Sequence, residues 1–285
     1  MRIDSLPDLV NLPRLAVAFL LAISCAASAP AQSSVPPAAE LVKVVVANEL
    51  ADRAERHKWM YGIEKQEGKQ TLTEEQVETK DGPLYRLLAI DGRPLDPDQR
   101  QQDNARIDRL LRDPSQQLKV KRAHDEDEQK LQTLMRLMPE AFLYDYDGVE
   151  GSLLRIKFRP NPNDYPSTYE GRVVHSLAGT ILIDAQQKRL VKLSGQLIGS
   201  VEFGYGLLGR IDNGGTVEIG RMEVGPSQWK TALIDIQLSG RLVLFKTINK
   251  QEYETRSNFR AVPDDLSLWQ ANELTVSRIV PIARH

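Results

Sequence analysis

The chain has 285 residues, enough for one domain with a sizeable core or two small ones. Lys+Arg 37 against Asp+Glu 39 gives a net charge of -2, and this balance excludes the concentrated basic footprint that nucleic acid requires. Aromatic residues are only 6% of the chain, so Leu, Ile and Val must supply most of the core.

The N-terminus reads as an export signal. Arg14 precedes an apolar run from Leu15 to Ile23, too short to span a bilayer as a helix, and small residues follow to Ala29-Pro30-Ala31. Residues 1–31 are therefore expected to be cleaved near Ala31, which places the protein in the periplasm or on the envelope with no transmembrane span in the mature chain. The segment carries Arg2, Arg14, Asp4 and Asp8, so its removal leaves the net charge unchanged. Cys25 is the only cysteine. Ala22-Ile23-Ser24-Cys25 loosely resembles a bacterial lipobox, which makes Cys25 a candidate lipidation site; otherwise it leaves with the signal. In that second case the mature protein has no thiol, and disulfides, zinc–thiolate sites and cysteine nucleophiles are excluded together.

Residues 32–38 read as a linker, and 39–285 as a single domain. From Ala39 to about Arg56, Leu41, Val44, Val45, Asn48 and Ala51 follow helical spacing. Three strands are expected next: one with Trp59, Tyr61 and Ile63 on a shared face, a polar one near Gln70–Thr79, and Leu84–Ile90. A helical insert over about 95–138 interrupts them. It comprises a helix from Asp96 to Arg112 and, after Pro114, a second one capped by Ser115 and running to about Met138. From Phe142 a meander of about seven strands begins, in which Leu154, Ile156 and Phe158 interleave with Arg155, Lys157 and Arg159. Breaks are expected at Asn161–Pro166, Ala185-Gln186-Gln187, Asn213-Gly214-Gly215, Gly225-Pro226 and Asn249-Lys250. The fold class is α+β, dominated by antiparallel sheet.

No segment carries a readable catalytic chemistry. Gly204-Tyr205-Gly206-Leu207-Leu208-Gly209 spells the dinucleotide fingerprint, but a turn into another strand follows where the phosphate-facing helix should begin. Asp145-Tyr146-Asp147-Gly148-Val149-Glu150 lacks the third acidic position and the distal bidentate Glu of a calcium loop, and reads as an acidic hairpin turn. His124 and Glu128 share a helix face, but no second histidine stands at ligand spacing, so the run 124–128 reads as a solvated face and no metal site is expected. There is no Gly-x-Ser-x-Gly elbow, no Ser-x-x-Lys with its partner boxes and no P-loop. No cofactor is expected, and the chain reads as a non-enzyme; a carboxylate-dependent hydrolase is the weakest alternative.

The Trp59-Met60-Tyr61 strand after the first helix, and Gly179-Thr180-Ile181-Leu182-Ile183-Asp184 turning through Gln186-Gln187 into Arg189-Leu190-Val191-Lys192, resemble the LolA-like superfamily of lipoprotein-sorting carriers and lipid-binding lipoproteins. The resemblance is one of pattern. It implies a curved antiparallel sheet forming an incomplete β-barrel, with the N-terminal helix and the insert covering its concave face. It further implies a lipid or lipoprotein acyl chain as ligand. Strand parity then names Trp59, Tyr61, Ile156, Phe158, Phe203, Tyr205 and Phe245 as the lining. The alternative is an envelope interaction or sensor module with a filled core, meeting a protein partner through the charged insert.

Overall fold

A computed structural model describes residues 36–55, 57–203, 209–242 and 246–279. The segment expected to be an export signal, Cys25, Tyr205, Phe245 and the Phe203 side chain lie outside the described residues.

The protein is α+β. Helix α1 (Ala38–Ala54) precedes strands β1 (Lys58–Glu67), β2 (Gln70–Val77), β3 (Leu84–Ile90) and the two-residue β4 (Arg93–Pro94). Helices α2 (Pro97–Arg112) and α3 (Pro114–Ala141) follow, then β5 (Phe142–Glu150) and β6 (Leu153–Pro160). A short helix α4 (Tyr169–His175) leads to β7 (Leu177–Asp184), β8 (Arg189–Leu197), β9 (Val201–Phe203) and β10 (Gly209–Ile211). The chain closes with β11 (Thr216–Gly225), β12 (Gln228–Leu242), β13 (Lys246–Val262) and α5 (Leu268–Ile279). The strands form one antiparallel sheet in the order β4-β3-β2-β1-β13-β12-β11-β8-β7-β6-β5, with β9 and β10 attached beside β12. Its two ends, β4 and β5, do not pair, so the sheet is not closed into a barrel.

Register decides which residues share a face, because directly paired residues point the same way. Ile156 pairs with Ile181, Ile181 with Leu193, Leu193 with Ile219, and Ile219 with Ile234. Ile234 pairs with Glu254, and Glu254 with Lys65. This row crosses most of the sheet, and it puts Ile63 and Tyr61, two and four residues back from Lys65, on the face of Ile156. Helix α1 lies on this face. Its residues at helical spacing, Leu41, Val42, Val45 and Val46, are buried against Tyr144, Ile156, Phe158, Ile181 and Ile183. Each such side chain contributes about 1.5–3 kcal/mol by leaving water.

The opposite face follows the row Met60–Val77–Leu84, and there α2 and α5 bury Ile107, Leu110, Leu111, Leu268 and Ala271. Arg86, two residues along β3, fixes both helices: Nε donates to Thr275 Oγ1 at 2.8 Å, Nη1 to Asn104 and Nη2 to Asn272. The insert is therefore not a single lid. Helix α2 sits on the face away from α1, whereas Met135 and Met138 of α3 join the α1 core and its earlier residue Val120 touches the α2 cluster.

Several local readings change. Asp113, not Ser115, caps α3, accepting from the amides of Ser115 and Gln116, and Pro114 opens the helix, where its missing N–H costs nothing. Asp145, Asp147 and Glu150 belong to strand β5 and pair across to Arg159, Lys157 and Arg155 of β6, so cross-strand charge and not turn chemistry explains them. Asn249 and Lys250 pair with Ser239 and Leu238 inside the β12–β13 ladder and form no break. Glu128 leaves the solvated face to pair with Arg53 of α1 at 2.9 Å.

Candidate functional site

The α1 face carries three successive environments. At the β5–β8 end is the core under α1, which contains Ile156 and Phe158. At the β1–β3 end Trp59, Tyr61 and Ile63 pack with Tyr85, Val224 and Phe259, the Tyr61 and Phe259 rings lying 4.9 Å apart. The register thus puts the four described lining candidates on one face, and the packing gathers them into two separate clusters. All four are buried, so each is packed against protein.

Between the clusters the face is different. Leu193, Val217, Ile219, Ile234, Ile236 and Leu238 are only half-buried. Leu193, Val217 and Leu238 touch the edge of the α1 core, and Ile219 pairs directly with Ile234, Val217 with Ile236. The result is an apolar strip of aliphatic side chains with part of its surface open to solvent.

The strip runs into a polar pocket of about 330 Å³ lined by Ile63, Lys65, Glu74, Gln76, Tyr85, Arg106, Glu254 and Arg256. The junction is the pair Ile234 and Glu254. Lys65 lies 2.8 Å from Glu74 and over the Tyr85 ring, and the Arg256 guanidinium sits over the Tyr61 ring with Nε 2.5 Å from Glu254. Arg106 arrives from α2 around the open edge of β3, donating to the Tyr85 carbonyl and to Asp103. The same edge is closed further by Asp103, which accepts from the Leu87 amide. Lys65, Arg106 and Arg256 were absent from the residues named by sequence. The alternation Ile63-Glu64-Lys65 and Glu254-Thr255-Arg256 carries their common face, yet only the β1–β13 register joins the two strands.

Burial pushes the Tyr85 phenol up to about 12, with Arg256 opposing the shift. A phenol that titrates near 10 when unfolded and near 12 when folded contributes stability that is complete below pH 10 and is lost as the pH rises through 12. Tyr85→Phe is expected to remove one ionisation near 12 from an ultraviolet titration and to flatten the fall in stability between pH 10 and 12. An unchanged titration curve would contradict this placement of Tyr85.

A buried ionic cluster anchors α1 beside the strip. Glu49, on the apolar stripe of α1, accepts from Arg189 Nε at 2.9 Å and lies 2.7 Å from Arg221 Nη2. Asp52 lies 2.5 Å from Arg189 Nη2 and accepts from the Trp229 amide. The Trp229 indole donates to Gln187. Burial, only partly offset by Glu49, lowers the Arg221 guanidinium to about 10, and its Nε has no hydrogen-bond partner among the described residues. These charges face one another and not solvent, so the cluster is a fastening.

The segment after the Gly204–Gly209 fingerprint enters strands β10 and β11, which offer no helix N-terminus to a pyrophosphate. Among the described residues no group of three or more His, Cys, Asp or Glu side chains is arranged to hold a metal ion, and no helix is long and apolar enough to cross a membrane. Comparison with protein-family models, with curated proteins and with solved structures finds no match for this chain.

Proposed function

We propose that the chain is an exported, non-catalytic envelope protein of LolA-like type that holds a lipid or lipoprotein acyl chain along the apolar strip. The observation that carries the reading is the half-open run of Leu193, Ile219, Ile234, Val217 and Ile236 on the face shared with α1. Burying an acyl chain yields about 0.8 kcal/mol per methylene, so such a strip can hold a long chain without any polar signature. In this reading the sheet curves around the strip as an incomplete barrel, and α1 with the second half of α3 forms its wall. The ligand lies on the strip, and Trp59, Tyr61, Ile156 and Phe158 form the packed layer on either side.

Native mass spectrometry of the protein purified from its own envelope is expected to show a bound lipid. Ile234→Lys with Ile236→Lys is expected to weaken uptake of a fluorescent fatty acid at least tenfold while circular dichroism stays unchanged. Repeated recovery of ligand-free protein with no uptake would end the reading. A second reading, an envelope interaction module with a filled core, is favoured by the complete burial of those four residues. It predicts that the Ile234/Ile236 variant behaves as wild type towards lipid, and that Asp125→Asn, Glu126→Gln and Asp127→Asn together, all exposed on α3, abolish partner capture without unfolding the sheet.

A further inference from the structure

The polar pocket at the end of the strip has a layered charge arrangement. Its carboxylates lie deeper than its cations: the Glu74 and Glu254 side chains are 12% and 15% exposed, against 28% for Lys65 and 26% for Arg256. Arg106 repeats the pattern, at 49% exposed over an Asp103 that is 5% exposed. Each carboxylate therefore stands behind a cation and fixes its direction, so the surface offered to a ligand is cationic although the formal charges nearly cancel. Donor capacity remains. Arg256 spends Nε on Glu254, and its two terminal nitrogens have no hydrogen-bond partner among the described residues. Arg106 uses Nε and Nη2, leaving Nη1. A planar guanidinium held from behind in this way suits an oxyanion.

We propose that Lys65, Arg106 and Arg256 bind the anionic headgroup, a phosphate or carboxylate, of the amphiphile whose chain lies on the adjoining strip; this rests on the chain-binding reading above. Ile63 and Glu254 belong to the pocket wall, and Ile234 faces Glu254 across the β12–β13 ladder, so head and chain sites are contiguous. The strip alone would accept any acyl chain. The pocket selects acidic amphiphiles over neutral ones of equal length.

The test uses the full mature chain and three probes: palmitoyl lysophosphatidic acid, monopalmitoylglycerol (the same chain without phosphate) and inorganic phosphate. The acidic lipid is expected to bind about tenfold or more tighter than the neutral one, the difference that one charge-assisted hydrogen bond implies. Lys65→Gln with Arg256→Gln, which leaves only Arg106, should remove most of that difference and leave the neutral lipid's affinity unchanged. Arg256→Lys, which keeps the charge, should retain most of it and shows that the pocket still folds. Equal affinity for both lipids in the wild type, or a preference that the double substitution leaves undiminished, overturns the pocket assignment while the strip reading stands. Binding of inorganic phosphate that the double substitution removes, with neither lipid bound, assigns the pocket to a free oxyanion and overturns both the headgroup source and the strip reading.

Discussion

Glu49→Gln is expected to destabilise the protein by about 3–5 kcal/mol, the cost of breaking a buried ion pair from one side. Glu49 is almost fully buried, and it faces both Arg189 and Arg221 within hydrogen-bonding distance. Neutralising it leaves Asp52 alone against two buried guanidinium groups, one of which already has its proton affinity reduced by burial. The loss should appear as a lower urea midpoint with an unchanged slope. Against a usual total stability of about 5–15 kcal/mol, it is enough to unfold a marginal domain. Replacing Glu49, Asp52, Arg189 and Arg221 together by Leu, Asn, Met and Leu should recover much of the loss, because the desolvation cost of all four charges disappears along with the attraction. A loss below about 1 kcal/mol for Glu49→Gln would mean that water reaches the cluster.

The second large effect is expected at the β7–β8 ladder, where two glycines face each other and should respond very unequally. A Cβ on Gly179 would overlap the Ser194 carbonyl oxygen and lie 2.8 Å from Gly195 Cα, so the neighbouring backbone would have to move. Gly179→Ala is expected to cost about 3 kcal/mol, the upper end for overpacking, with loss of exchange protection along β7 and β8. Gly195→Ala puts its methyl 3.4 Å from Phe158 Cζ and 3.5 Å from Leu177 Cδ2, at the edge of ordinary packing contact. Its cost should stay below about 1 kcal/mol. If the two variants prove equally stable by thermal melting, the asymmetry of this pair is wrong.

Both predictions depend on residues whose importance is invisible locally. Glu49 continues the apolar stripe of α1, and in the sequence it reads only as the first charge after a hydrophobic run. Its partners lie 140 and 172 residues away on β8 and β11, brought together by the register of the sheet. Glu128 likewise reads in the sequence as one of four consecutive carboxylates, and its pairing with Arg53 depends on α3 lying against α1.

Read alone, the chain specifies the α+β class, the antiparallel sheet, the bounds of β3 and α2 to within a residue or two, and the apolar side of β1 and of β6. Those properties follow from short-range periodicity and capping, which one stretch of chain expresses alone. It also put Trp59 with Tyr61, and Ile156 with Phe158, on one side of their own strands, since parity persists through a regular strand; the register across the sheet put the two pairs on one face. Tertiary structure decided which parts of that face are covered. Helix α1 fills one end, α2 goes to the opposite face, and the aliphatic strip on β8, β11 and β12 is left half-open beside Lys65, Arg106 and Arg256. Burial depends on contacts between residues far apart in the chain, and on bulges at Gly220/Arg221 and Met60/Gly62 that shift the register. Alternation alone says where a dry face is, but only the packed helices and the paired strands say where it remains open.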